Sequence, residues 1–210
     1  MAISDTIESM QENLSNAYDK ISDKGGTLPI NKNLANLEDA IDSIPSGSGN
    51  TLFKSLVNRS ITTVTAEDLQ GLTSIGNSAF IECRLLTDVE LPETITNIVD
   101  SAFQACFALE NINIPNGVTT IPSYCFYNCR ALTKLIIPSG VSNIGISAFR
   151  YCLSMREITI LATTPPTLAS ANAFENSNDC PIYVPAESVN AYKAATNWSS
   201  YANRIFAIQE

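Results

Sequence analysis

A chain of 210 residues, 45% hydrophobic and 16% charged, is long enough to bury its own core and too apolar to stay disordered. Twelve Lys and Arg against 21 Asp and Glu leave a net charge of -9, the wrong sign for a nucleic-acid partner. Histidine is absent, which removes the commonest general base, the Ser-His and Cys-His nucleophile pairs and most zinc and haem sites, so neither a cofactor nor a metal is expected.

The opening residues MAISDTIESM carry acids where an export signal needs a basic start, and no apolar run reaches the length of a membrane span. The expectation is cytosolic synthesis without membrane insertion. Ile3, Ile7, Met10, Leu14, Ala17 and Ile21 step by four and three, one stripe of a helix that Gly25 and Gly26 end. Leu34, Leu37, Ile41 and Ile44 form a second, shorter stripe stopped by Pro45. Residues 1–45 therefore read as a helical hairpin and 46–50 (SGSGN) as a linker. Two short amphipathic helices bury their stripes poorly alone. The hairpin is expected to dock onto a partner, onto a second copy in self-association, or onto the first repeat as a cap.

Over 51–210 the organisation is a repeat. Phe80, Phe103, Phe126 and Phe149 recur every 23 residues, as do Cys83, Cys106, Cys129 and Cys152. Ile75, Ile98, Ile121 and Ile144 share that period, and so do Pro92, Pro115 and Pro138. A period of 23 lies in the leucine-rich-repeat range, and single rows cannot close a core, so the rows must stack into a solenoid. Each row carries two short strands. In Leu132–Ile137, Leu132, Leu135 and Ile137 point inward and Lys134 and Ile136 outward, and Pro138 ends the strand. The second strand is Val141–Ile144, and the intervening S-A-F-x-x-C segment reads as a short helical turn whose Phe plugs the core.

A degenerate opening rung lies at Ser60–Val64 and Leu72–Ile75. The closing region begins near residue 163, with Phe174 following Phe149 by 25 residues. Ile182–Val184 gives a last strand, and Pro185 starts an amphipathic helix with Val189, Tyr192 and Ala195 on one side. Trp198, Tyr201, Ile205 and Phe206 complete this lid. The fold class is thus an α+β repeat solenoid, preceded by a helical hairpin and closed by a C-terminal helical cap.

These rows resemble the BspA-type leucine-rich repeats of bacterial surface and secreted proteins, and the ending TPPTL…AF…CPIYVPAESVNAYKAATNWSSYA resembles that family's C-terminal cap. The resemblance runs from about Leu52 to the end and implies a non-enzymatic binding or adhesion module. Residues 25–47 (GGTLPINKNLANLEDAIDSIPSG) also resemble N-terminal segments of tail or baseplate-associated proteins of phages and prophages. That implies an alternative, a virion-associated receptor-binding or structural protein.

Candidate binding residues lie on the outer strand face. Asp88, Asn111, Lys134 and Glu157 form one column and Glu90, Asn113, Ile136 and Thr159 its neighbour. Asp88, Glu90, Asn111 and Asn113 gather oxygen ligands that suit Ca2+ or sugar hydroxyls, but a solvated strand face explains them more simply, since hard-cation sites add backbone ligands and tight loops. The Asp88 and Glu90 carboxylates have roughly the 7 Å spacing of a glycosidase pair, yet no cleft is implied. Tyr124, Tyr127 and Tyr151, with Phe107, cluster near the turn, either as a contact patch or as filling between rungs. The cysteine column and Cys125 read as small buried hydrophobes rather than metal ligands, and Cys180, off the column, as the most reactive thiol. The partner implied is a protein or glycan surface bound without catalysis.

Overall fold

The computed structural model describes residues 60–209, and the hairpin and linker expected over 1–50 lie outside the described residues. Two strands per rung build two parallel walls. One wall holds β1 (Thr63–Val64), β3 (Asp88–Val89), β5 (Asn111–Ile112), β7 (Lys134–Ile137), β9 (Glu157–Ile160), β11 (Ile182–Val184) and β12 (Ile205–Ala207). The other holds β2 (Ser74–Ile75), β4 (Asn97–Ile98), β6 (Thr120–Ile121), β8 (Asn143–Ile144) and β10 (Thr167–Leu168). Every pairing is parallel, and the 23-residue period sets the register: Asp88 lies beside Asn111, Lys134 beside Glu157, and Asn97 beside Ser74.

The alternation behaves as expected in β7, where Lys134 and Ile136 are exposed and Leu135 and Ile137 buried. The second strand is shorter than expected. The Val141 N–H bonds back to the Pro138 carbonyl at 3.1 Å, closing a turn that consumes the first half of Val141–Ile144. Pro92 and Pro115 close the same turn with Ile95 and Val118. The proline column thus sets the corner between the walls, and the buried Ile95, Val118 and Val141 fasten it to the core.

The S-A-F-x-x-C segment is not helical. Ser101, Tyr124 and Ser147 have φ of 59°, 57° and 53°, and Ala105, Asn128 and Tyr151 have 59°, 64° and 63°. A helix would spend these N–H groups within its own turn. Here the left-handed residues swing alternate N–H groups onto the next rung. The N–H of Phe103 reaches the Cys125 carbonyl at 3.0 Å, that of Ala105 reaches Tyr127 at 2.8 Å, and that of Asn128 reaches Arg150 at 2.8 Å. The segment is a third hydrogen-bonded wall, which offsets left-handed strain of roughly 1–2 kcal/mol per residue.

Inside it runs a column of phenyl rings. Phe80, Phe103, Phe126, Phe149 and Phe174 stack with centroids 5.1, 5.6, 5.5 and 5.2 Å apart and planes within 9° of parallel. Trp198 ends the column 5.6 Å from Phe174, with the Tyr192 ring edge-on to it at 5.1 Å.

The cap is a 3-10 turn (Ala186–Ser188), α1 (Val189–Ala194), a second 3-10 stretch (Trp198–Arg204) and β12. Its side chains stand in for a missing rung. Tyr192 Oη donates to the Ala162 carbonyl, Ser188 Oγ to Thr163, Trp198 Nε1 to Pro166 and Asn197 Nδ2 to Leu168, all at 2.7–2.8 Å. Tyr201 Oη donates to the Ala171 carbonyl and accepts the Phe174 N–H at 3.1 Å. Buried backbone groups that would face an open end are thereby satisfied. Phe206 departs from the lid reading: β12 alternates, so Ile205 is buried while Phe206 is 47% exposed.

Candidate functional site

The register brings the predicted strand-face residues together in pairs. Asn111 Nδ2 donates to Asp88 Oδ1 at 2.7 Å, and Lys134 Nζ lies 2.9 Å from Glu157 Oε1. Hydrogen bonds from the Thr87 side chain and then from Asn111 hold the Asp88 carboxyl below the usual range. Glu90 is exposed beside them. Asn113 is committed elsewhere: its Oδ1 accepts the Leu91 N–H at 2.7 Å and its Nδ2 donates to the Leu91 carbonyl at 2.8 Å. It clamps the neighbouring rung, and the four-oxygen cluster loses a member. No group of three or more potential metal ligands occurs among the described residues.

The same face changes character toward the cap. Register places Ile136 beside Thr159, Thr159 beside Tyr183, and Tyr183 beside Phe206. Ile136 is 60% exposed, and the Tyr183 and Phe206 rings lie 6.4 Å apart. An outward apolar column thus continues where the polar pairs end, next to the Lys134–Glu157 ion pair.

A second cluster lies on the turn wall. Tyr127 meets Tyr124 edge-on at 5.8 Å and Tyr151 edge-on at 5.5 Å. Of the three tyrosines of the predicted patch, Tyr127 and Tyr151 are half-buried and fill between rungs while presenting an edge, and Tyr124 is exposed. Arginines complete the cluster. Arg84 and Arg130 stack on Phe107 at 5.2 and 4.9 Å, and Arg150 on Tyr151 at 4.9 Å while pairing with Glu175 at 2.9 Å. Sequence reasoning passed over these arginines, although Arg84, Phe107 and Arg130 share the 23-residue spacing.

The six cysteines are buried and unbridged. Three thiols of the column donate to the carbonyl of the preceding rung's Phe: Cys106 to Phe80 at 3.0 Å, Cys129 to Phe103 at 3.1 Å and Cys152 to Phe126 at 3.2 Å. Cys180, expected to be the most reactive thiol, is buried like the others, although slightly the most exposed of the six. It takes the position of Leu132 and Met155 in the last rung, is 3% exposed, and contacts Arg204 at 3.5 Å. Burial raises its thiol pKa and Arg204 only partly offsets this. Burial pushes the Cys152 thiol up to about 12 and those of Cys125 and Cys129 well up. Thiols whose folded pKa is raised stabilise fully below their unfolded value of about 8.5 and lose that contribution as pH rises through the folded values. The midpoint of urea unfolding is therefore expected to fall between pH 8 and pH 10.5, and Ellman's reagent at pH 8 is expected to label the native thiols far more slowly than the six released by urea. Rapid labelling of the native chain would contradict the packing.

The BspA type leucine rich repeat region matches residues 49–181 in six copies. Comparison with curated protein sequences finds no match. Among solved structures, a leucine-rich repeat protein of Bacteroides ovatus is 34% identical over 54% of this chain and 28% of its own, with a TM-score of 0.48. A leucine rich cell surface protein of Faecalibacterium prausnitzii is 26% identical over 63% of this chain and 33% of its own, with a TM-score of 0.50. The pneumococcal vaccine antigen PcpA shares the fold at 19% identity and a TM-score of 0.56, over 71% of this chain and 42% of its own. The chain spans a third or less of the first two proteins, and none of these matches lends support to a phage-tail origin for residues 25–47. No helix among the described residues is long and apolar enough to cross a membrane. The six matched copies cover more than half of the sequence, and the parallel rungs carry their period in three dimensions: the chain belongs to the BspA-type leucine-rich repeat family.

Proposed function

We propose that this chain is a non-catalytic binding module that recognises a protein surface through the outer face of β7, β9, β11 and β12. The observation that carries the reading is the registered column Ile136, Thr159, Tyr183, Phe206 beside the Lys134–Glu157 pair. Ile136 and Phe206, 60% and 47% exposed, lie in one registered column with Tyr183 rather than scattered singly, as an interaction patch requires. Aromatic and aliphatic groups rimmed by paired charges are the composition of an interface centre. Asp88, Glu90 and Asn111 extend the face as a polar margin, and the Tyr127–Tyr151 edge on the turn wall is a secondary contact. The names of the Faecalibacterium cell surface protein and of the pneumococcal antigen fit a module displayed outside the cell.

Ile136→Asp tests this. The side chain is exposed, so the melt should stay within about 0.5 kcal/mol of the parent. Binding to a panel of purified extracellular proteins, read by biolayer interferometry, should weaken roughly tenfold or more for those the parent captures. Parent and variant binding alike throughout the panel, or no capture at all, would overturn the proposal. Asp88→Asn should leave a glycan-hydrolysis assay at background in both forms; turnover by the parent that the variant lacks would restore an enzymatic reading.

A further inference from the structure

The turn wall has an unfinished end. In successive rungs the N–H of Ala105 donates to Tyr127, that of Asn128 to Arg150 and that of Tyr151 to the Glu175 carbonyl. Asn176 is the next member of that row, left-handed like the others with φ of 56°. No rung follows it, and among the described residues its N–H has no acceptor. The Phe174 N–H, equally terminal, is closed by the Tyr201 hydroxyl, so the cap seals one position and leaves the adjacent one open.

Asn176 is also among the residues that line a groove of about 590 Å3 between the last turn and the cap. One side carries Glu175, Asn176 and Asp179, the other Ser200, Asn203 and Phe206. The lining holds two carboxylates and one guanidinium: Glu175 pairs with Arg150 outside the lining at 2.9 Å, and the exposed Asp179 lies 3.4 Å from the buried Arg204, so the groove offers no unpaired cation. The side chains of Asn176, Ser200 and Asn203 make no hydrogen bond among the described residues. A lining with no unpaired cation gives no preference to an anion, and unspent amides and a hydroxyl disfavour an oily ligand. Adjacent groups that both donate and accept match vicinal hydroxyls, which do the same. The exposed Phe206 ring adds an apolar surface for the C–H face of a pyranose, and the volume lies within the range of small-ligand sites.

We infer that this groove binds a neutral sugar unit of a glycan, with the Asn176 N–H donating to a sugar oxygen. The site is distinct from the β7–β9 face, although Phe206 ends one surface and rims the other. The test uses the full chain on an array of neutral and acidic glycans, followed by calorimetric titration of the best neutral oligosaccharide. Binding of neutral glycans is expected, weakened roughly five- to tenfold by Asn203→Ala and by Ser200→Ala, each the loss of about one hydrogen bond. Folding of both variants is checked by their melts, and both positions are exposed. A folded chain that captures no neutral glycan at millimolar concentration overturns the inference, as does capture of acidic glycans alone. Weakening by Ile136→Asp as large as that by Asn203→Ala also overturns it, because the sugar would then sit on the strand face; failure of Ile136→Asp to affect protein capture tests only the strand-face proposal.

Discussion

Phe126→Ala is expected to cost about 3–5 kcal/mol, close to the upper end for a single core truncation. The ring is fully buried and lies between Phe103 at 5.6 Å and Phe149 at 5.5 Å. The cavity cannot close by letting the rungs sink together. The Phe103 N–H to Cys125 bond at 3.0 Å and the Phe126 N–H to Ala148 bond at 2.8 Å fix the spacing on both sides, and the Cys152 thiol is anchored on the Phe126 carbonyl. Urea unfolding should show a lower midpoint and a broadened transition, since neighbouring rungs share most of their stability. A loss under about 1 kcal/mol would show that the walls deform and that the phenyl column is filling rather than a spine.

Trp198→Ala is expected to cost a similar 3–5 kcal/mol, but locally. Trp198 is fully buried, ends the phenyl column and gives its Nε1 proton to the Pro166 carbonyl at 2.7 Å. Its removal uncovers the last rung first. Hydrogen exchange should lose protection in β10, β11 and β12 while β4 and β6 keep theirs. Trp198→Phe separates the two contributions: packing is largely kept, one buried acceptor is orphaned, and the cost should fall to about 1–3 kcal/mol. Uniform loss of protection along the chain would mean that the cap and the rungs unfold as one unit.

The strands and the core were legible because every rung repeats one environment, so a residue that recurs every 23 positions must face the same way each time. The Phe, Cys and Ile columns are buried for that reason, and the Asp88–Asn111 and Lys134–Glu157 neighbours follow from the same spacing. The turn departs from the expected helix because its left-handed residues are Ser, Glu, Ala, Asn and Tyr rather than Gly. What holds them there is a bond to the next rung, which local propensity does not register. β12 carried a signal that went unused: Ile205 follows Ile182 by 23 and pairs with it, but it comes after a helical insertion, where periodicity is not sought. Asn113 shows the limit for site reading. Its column predicts an outward amide, and only the position of the Leu91 peptide shows that both ends of the amide are taken.

The third wall also gives the stack a direction of growth. Each rung presents the next with a template of N–H groups in fixed positions, and nothing in a middle rung such as 121–143 distinguishes a successor in its own chain from one in another. Without a terminator such an array is the seed of an open, head-to-tail filament. The hydroxyls of Tyr192, Tyr201 and Ser188 and the indole N–H of Trp198 occupy the positions where an incoming chain would bind. These four groups contribute side-chain bonds only, and the backbone left at this end is the three-residue edge of β12 and the Asn176 N–H. The cap therefore restricts how far this array of rungs can be extended, and the number of rungs can change during evolution without altering how the cap closes the last of them.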